Sequence, residues 1–259
     1  FRRVLFRSIQ TSGDRRINVT ASLPSASWVE ENAEIPTSDP SWTQVRLDSH
    51  KLVAATRVSE ELLADNAFNL ESVLIDQFGR SLAQGEEEAF IRGDGDNKPY
   101  GILHPTYGAQ IGVTSESETA ISIGEIIDLV YALKRQYRKD AVFLMNDATL
   151  AHIRRMRDGI GNYLWQPALA AGEPDRLLGY PIFTSQFVPT MSAGQPVLCF
   201  GNFSYVNIAD RGTRSFATLT ELYSMNGQVG FKATERVDSR LILPEAVQVL
   251  KMAGTAAQG

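Results

Sequence analysis

At 259 residues, 43% of them hydrophobic and 21% charged, the chain has the length and composition of a soluble globular protein with a sizeable core. A net charge of -5 and a pI near 5.3 argue against nucleic-acid binding, since a groove that neutralises several phosphates needs a basic excess or stripe and none is visible in the sequence. The longest apolar stretches, such as Val197 to Phe200, fall far short of the roughly twenty residues of a membrane helix.

Residues 1–8 carry no initiator Met, match neither the periodicity nor the composition of the remaining chain, and read like a translated sequencing adapter. They are expected to be a non-native artefact, because their apolar stretch is too short for a signal peptide. From Ile9 to Leu23, alternation at Ile17, Val19, Ala21 and Leu23 predicts an extended arm or edge strand. A proline-bearing acidic segment runs from Trp28 to Trp42, after which Thr43, Val45 and Leu47 alternate with polar residues. Together these predict a long hairpin. Isolated two-stranded ribbons are marginal in water, so this hairpin needs another surface to lean on.

A strand over Leu52 to Val58 leads into Ser59, which can cap a short helix with Glu60 and Glu61 in its first turn. Asn69 is the expected N-cap of a long amphipathic helix. Leu70, Val73, Leu74, Phe78 and Leu82 form its apolar stripe, and Glu86, Glu87 and Glu88 are expected on its solvated face. A rod of this length spans on the order of 30 Å and can serve as a spine for a sheet. Gly93, Gly95, Pro99 and Gly101 stop it and fold the chain into a tight turn.

Residues 111–120 read as a linker. Ser122 and Glu125 form a capping-box pattern ahead of a helix whose stripe is Ile126, Ile127, Val130, Leu133 and Tyr137. A short buried strand over Ala141 to Met145 precedes a helix from Ala148 to Arg157 capped by Asn146 or Asp147. Asp158 to Gly179, rich in Gly, Pro and aromatics, reads as an irregular loop. Strands are expected over Ile182 to Phe187, Val197 to Phe200, Tyr205 to Ile208, Phe216 to Leu222, Val229 to Ala233, Leu241 to Leu243 and Val247 to Leu250. Cys199, the one cysteine, lies in an apolar strand and reads as a buried structural thiol. The class is α+β, with one subdomain inserted between the halves of another.

No arrangement of residues points to catalysis. His50, His104 and His152 are scattered without a second His or Cys at ligand spacing, so no metal site is expected. There is no Gly-x-Ser-x-Gly elbow and no activated Cys. Gly93-Asp94-Gly95 with Lys98 follows a helix and precedes a proline, whereas a phosphate cradle follows a strand and opens a helix. What does stand out is surface suited to a partner: Trp28 and Trp42 on the hairpin, and Tyr163 and Trp165 in a Gly/Pro-rich loop.

The order of several motifs then resembles the major capsid proteins of tailed bacteriophages, whose fold is named after phage Hong Kong 97. The matching residues include Trp28-Val29-Glu30-Glu31 with Pro36; Val58 to Asp65; Ala89-Phe90-Ile91-Arg92-Gly93-Asp94-Gly95 with Pro99, Gly101, Ile102 and Leu103; Met145-Asn146; Asp158, Gly161 and Tyr163-Leu164-Trp165; Leu178-Gly179-Tyr180-Pro181; Phe200-Gly201-Asn202-Phe203; and Glu235-Arg236-Val237-Asp238 with Pro244 and Ala246. This resemblance implies an N-terminal arm over 9–27, an extended loop over 28–47, a peripheral domain over 48–121 with the long helix as its spine, an axial domain over 122–220, and a return to the peripheral domain over 221–259.

It implies a structural protein rather than an enzyme, with no cofactor: a subunit that assembles with itself as hexamers and pentamers into an icosahedral shell. Scaffold, protease and portal proteins are the implied assembly partners. Packaged DNA would be contacted weakly and without sequence preference, no membrane is involved, and the place is the virion, assembled in the bacterial host cytoplasm. The inter-subunit candidates are Trp28, Glu30, Glu31, Glu34, Ile35, Trp42, Arg46, Tyr163 and Trp165, with the acidic cluster expected to meet basic residues such as Arg154, Arg155 or Arg157 of a neighbour. Some family members weld subunits through a lysine near the loop tip, but no lysine occurs between Trp28 and Leu47, so no such crosslink is expected. The alternative within this fold is an encapsulin, a cellular compartment shell.

Overall fold

The computed structural model describes residues 5–11, 15–22, 28–29, 37, 39, 41–65, 70–157 and 176–254. Its first part runs through β1 (Arg7–Thr11), β2 (Arg15–Ser22), β3 (Ser41–Leu47), β4 (His50–Ser59), the short helix α1 (Glu60–Ala64) and the 23-residue helix α2 (Leu70–Arg92). Next come β5 (Gln110–Thr114), α3 (Ile123–Ala132), β6 (Val142–Met145), α4 (Asp147–Arg154), β7 (Arg176–Leu177), β8 (Tyr180–Thr184) and β9 (Pro196–Gly201). The chain continues through β10 (Val206–Arg211), β11 (Ser215–Leu219), β12 (Gln228–Leu241) and β13 (Val247–Lys251).

The helix starts follow their capping residues. Ser59 Oγ accepts from the Leu62 amide at 3.3 Å, and Asn146 Oδ1 accepts from the Ala148 amide at 3.0 Å. At α3 both halves of the capping box form: the Glu125 amide donates to Ser122 Oγ at 3.3 Å and the Ser122 amide to Glu125 Oε2 at 2.7 Å. Glu125 also accepts from the Glu116 amide. These bonds outweigh its partial burial and hold its carboxyl below the usual range. The Asn69 cap lies outside the described residues.

The central strand of one sheet is β12, 14 residues long. One edge pairs antiparallel with β4 over ten residues; the other pairs with β11 and then β10, and β1 adds parallel to β10. Helix α2 lies on this sheet through Leu74, Phe78 and Leu82, one residue per turn, packed on Phe231 and Ala233. A six-stranded sheet takes the order β5-β13-β9-β6-β8-β7. Against it α3 buries Ile126, Leu129 and Val130 beside Phe143, Val197 and Phe200. A third cluster joins the two sheets: Phe90 and Ile91 from the end of α2, Ile102 from the segment that follows it, Leu144 and Cys199 from the six-stranded sheet, and Ile208, Val237 and Leu241 from the other. Within it the Cys199 thiol is fully buried, and loss of water alone pushes its pKa up to about 12.

Four expectations need correction. Residues 110–114, within the expected linker, form β5, because β13 supplies a parallel partner that lies far away in sequence. The domain divisions also shift: β5 and β13 belong to the six-stranded sheet with β6 and β9, while β10 and β11, expected in the inserted axial domain, pair with β12. The chain therefore leaves the sheet of β12 once more and finishes in the other. Val247, Val249 and Leu250 are all buried together with Gln248 between them, as suits an inner strand covered on both faces. Glu86 is 5% exposed rather than solvated, because α2 turns it toward β12 and Arg214, and Glu87 accepts from Ser185 Oγ at 2.6 Å; of the three only Glu88 faces solvent. Finally, the start of the chain is not foreign to the fold. Leu5 and Phe6 are buried, the Phe6 ring meets Phe90 edge-on at 6.3 Å, and Arg7 and Ser8 pair with Asn207 and Ile208.

Candidate functional site

The hairpin exists, and its first side is the strand expected in the N-terminal arm. β2 and β3 pair antiparallel from Arg15↔Leu47 to Ser22↔Ser41. The 28–47 loop division thus cuts through the ribbon. Ile17 and Val45 sit opposite each other half-buried, while Gln44 and Trp42 on the alternating positions are exposed. The base is pinned: Leu47 is buried, and the Asp48 amide donates to Asp238 Oδ2 at 2.7 Å. Burial raises the pKa of Asp238, against the pull of the Ser239 and Asp48 amides and of His50, whose Nε2 is 3.7 Å away. Beyond this base the ribbon carries Trp42, 65% exposed, and Trp28, between its two strands in sequence, is fully exposed. Exposed indoles at that level are costly in water and suit a partner surface.

The Gly93–Gly101 turn closes the far end of α2. The Gly93 amide caps the last turn by donating to Ala89 O at 2.9 Å, and the chain doubles back so that Gly101, Ile102 and Leu103 amides donate to Gly93, Phe90 and Ile91 carbonyls at 2.8, 2.8 and 3.0 Å. A Cβ on Gly101 would stand 2.5 Å from both Gly93 N and Ile91 O, and one on Gly93 would collide with the Pro99 carbonyl. Asp94 Oδ1 accepts from the Asp96 amide at 3.0 Å and its other oxygen meets Lys98 at 3.1 Å, which together hold its carboxyl below the usual range. The anion-cradle reading fails here, since the acidic Asp94 side chain occupies the amide and the lysine. Downstream, Tyr100, His104 and Tyr107 pack ring on ring, with the Arg240 guanidinium 4.0 Å from the Tyr100 centroid.

Two charge groupings are not legible as such in the sequence. The first lies between α2 and β12: Glu86 and Glu235, each 5% exposed, share Arg214, which ion-pairs with Glu235 and reaches Glu86 Oε1 at 3.1 Å. Desolvation and the neighbouring Glu86 charge raise the pKa of Glu235 despite Arg214. The second is the outer face of the β4-β12-β11 layer. Strand alternation puts Lys51, Val53, Ala55 and Arg57 of β4 beside Arg236, Thr234, Lys232 and Gly230 of β12, with Ser215 and Ala217 of β11 on the far side. This is a basic stripe, contrary to the expectation from the sequence. It is hidden there because its halves lie at period two in strands some 180 positions apart, diluted in a chain of net charge -5.

Of the expected site residues, Trp28 is exposed, Trp42 is exposed on the ribbon, and Arg46 pairs at its base, Nε to Asp48 Oδ1 at 2.7 Å. Gly93, Gly95, Pro99 and Gly101 form the turn described above, Gly95 at φ 84°. Glu30, Glu31, Glu34, Ile35, Tyr163 and Trp165 lie outside the described residues. Among the described residues no three His, Cys, Asp or Glu side chains gather as a metal site would need, and no helix is long and apolar enough to cross a membrane.

Comparison with known proteins places these features. The model of the phage capsid family matches residues 3–252. The capsid of a native GTA particle shares the fold at a TM-score of 0.86 and 30% identity, covering 97% of this chain and 89% of that one. A Gordonia phage Cozz chain superposes at a TM-score of 0.73 with 14% identity, covering 98% of this chain and 86% of that one, a likeness of fold alone. The major capsid protein of Klebsiella oxytoca phage phiKO2 is 23% identical over 78% of this chain. This chain spans about half the length of that relative, 48%, and 34% of the Escherichia phage T5 major capsid protein.

Proposed function

The chain belongs to the phage capsid family, and from that premise we propose that it is a major capsid protein, the structural subunit of an icosahedral shell that encloses viral DNA. The observation that carries the proposal is the 30% identity, spread over 97% of this chain, with a GTA particle capsid. That structure was computed with five-fold symmetry, and subunits of this kind close into pentamers and hexamers through heterologous contacts. In this reading the sheet of β12 with α2 as its spine is the peripheral domain, the six-stranded sheet is the axial domain at the ring centre, and the β2–β3 ribbon with the segment beyond it is the extended loop. Its exposed Trp28 and Trp42 are covered by a neighbour. Scaffold, protease and portal are its assembly partners, DNA is held loosely inside, and the product is the virion, built in the host cytoplasm. The capsid likenesses favour this shell over a cellular compartment of the same fold.

The test is negative-stain electron microscopy of the purified protein alongside size-exclusion chromatography. Closed shells, or rings of five and six subunits, are the expected result. A monomer or dimer that persists across salt and concentration, with scaffold and protease supplied, would overturn the proposal.

A further inference from the structure

The end of α2 does not close against the sheet. Upstream, Leu74, Phe78 and Leu82 fill the seam between helix and strands, but the next positions on the flank facing β4 are Gly85, Ala89 and Gly93, which bring little or no side chain. Gly85 approaches β4 closely, since a Cβ there would stand 3.3 Å from a Leu52 methyl. Beyond it a cavity of about 260 Å³ opens between the last two turns of α2, the first residues of β4 and the turn that follows the helix. Its apolar wall is Leu52, Gly85, Ala89, Pro99 and Val237. A protein interior fills such space where it can, because bare walls forfeit dispersion contacts.

The rest of the lining is charged. Arg92 is exposed there and has no ion pair or side-chain hydrogen bond among the described residues. By contrast, Lys98 is held by Asp94, His50 lies 3.7 Å from Asp238, and Glu86 meets Arg214. The lining charges left over are Lys51 and Arg92 against Glu88, an excess of one positive charge.

We infer that this cavity is a binding site for a small amphiphilic carboxylate, with an apolar body of one or two fused rings seated between α2 and β4 and its carboxylate on the Arg92 guanidinium. The volume sets the size of the body, because a dry cavity of about 150 Å³ already takes benzene. The charge excess sets a single negative charge, and the planar N–H fork of an arginine matches the two oxygens of a carboxylate. An inorganic anion would leave the apolar wall uncovered, and a neutral hydrocarbon would leave Arg92 without a partner. The bound molecule touches helix and strand at once and so ties the end of α2 to β4. This site belongs to the single subunit and does not depend on the shell reading.

The test titrates naphthoate into the unassembled 259-residue chain by isothermal calorimetry, with the neutral analogue naphthamide alongside. One site per chain is expected, with a Kd on the order of 10 to 100 µM, the range usual for a ligand of that size. Naphthamide is expected to bind at least about fivefold more weakly, and Arg92→Gln to bring the acid to the level of the amide. Glu88→Gln should tighten the acid alone, by about twofold. Ala89→Phe, which puts a ring into the cavity, should abolish both. Arg92 and Glu88 are exposed on α2, so their variants read the site even if Ala89→Phe fails to fold. Hydrogen exchange of the wild type with naphthoate should slow at residues 85–93 and 50–52. No saturable binding at millimolar naphthoate, equal affinities for acid and amide, an acid affinity unchanged in Arg92→Gln, or protection that falls elsewhere in the chain would each overturn the inference.

Discussion

Gly93 and Gly101 show how one missing Cβ shapes the molecule. The segment that leaves the Gly93–Gly101 turn lies against the last turn of α2 at backbone contact distance, with the Gly101 amide 2.8 Å from Gly93 O. No side-chain rotation relieves a clash there, because the opposing atoms are backbone rather than the flexible end of a side chain. Gly93→Ala is therefore expected to destabilise the unassembled subunit by on the order of 3 kcal/mol, read as a lowered denaturant midpoint with an unchanged slope. Gly79, on the exposed face of α2 with nothing within 4 Å of an added Cβ, provides the control: Gly79→Ala should hold or slightly raise the midpoint. Equal effects at the two positions would mean that the close approach is not what requires glycine at Gly93.

At the scale of elements, α2 meets β12 through an apolar stripe that ends in charge. Leu74, Phe78 and Leu82 bury against Phe231 and Ala233, and one turn further on the same face carries Glu86, which meets Glu235 and Arg214. The Glu235 pKa is raised by burial and by Glu86. A carboxyl raised in the folded state contributes stability that is fully present below its unfolded pKa and lost as pH rises through its folded pKa. From the unfolded value near 4.5 upward, Glu235 increasingly opposes the fold, and E235Q, neutral at every pH, removes that dependence while leaving Arg214 to Glu86. Wild-type stability minus that of E235Q is expected to fall as pH is raised from about 4 to 7 in chemical denaturation; a flat or rising difference would refute the assignment. The apolar part of this packing is legible in the sequence, because a stripe at helical spacing has one interpretation at that length. The charged part is not: Glu86 differs from its neighbours Glu87 and Glu88 only in the direction it faces, and Arg214 and Glu235 are distant in sequence. Strand β5 is illegible for the same reason, since Gln110 to Thr114 has no local signal and is specified by pairing with β13. The capping box at Ser122 and the glycine turn are legible because their bonds close within a few residues.

At the scale of the whole molecule, the two sheets are joined through one apolar cluster that takes Phe90 from α2, Cys199 from the six-stranded sheet and Val237 from β12, with the chain passing between the sheets more than once. Such a subunit transmits load between its parts as a packed unit, and what it presents outward is the ribbon with its indoles and the cationic sheet face. If these surfaces hold a shell together, they do so without covalent bonds through the loop. An amide weld of the kind some family members make needs a lysine amine near the loop tip, and the sequence from Trp28 to Leu47 contains none. Cohesion then comes from many weak contacts made at once, each reversible, so that a misplaced subunit can leave before its ring closes. Assembled particles heated in denaturing detergent are expected to run as one band at the 28.5 kDa of the chain. Intact particles should lose subunits as salt is raised from about 0.1 to 1 M, since screening over a few ångströms weakens the exposed pairs first. A ladder of covalent multimers from mature particles would show that a different lysine has taken over the weld. In that case charge would no longer be needed to hold the loop in place, and particle integrity should become indifferent to salt.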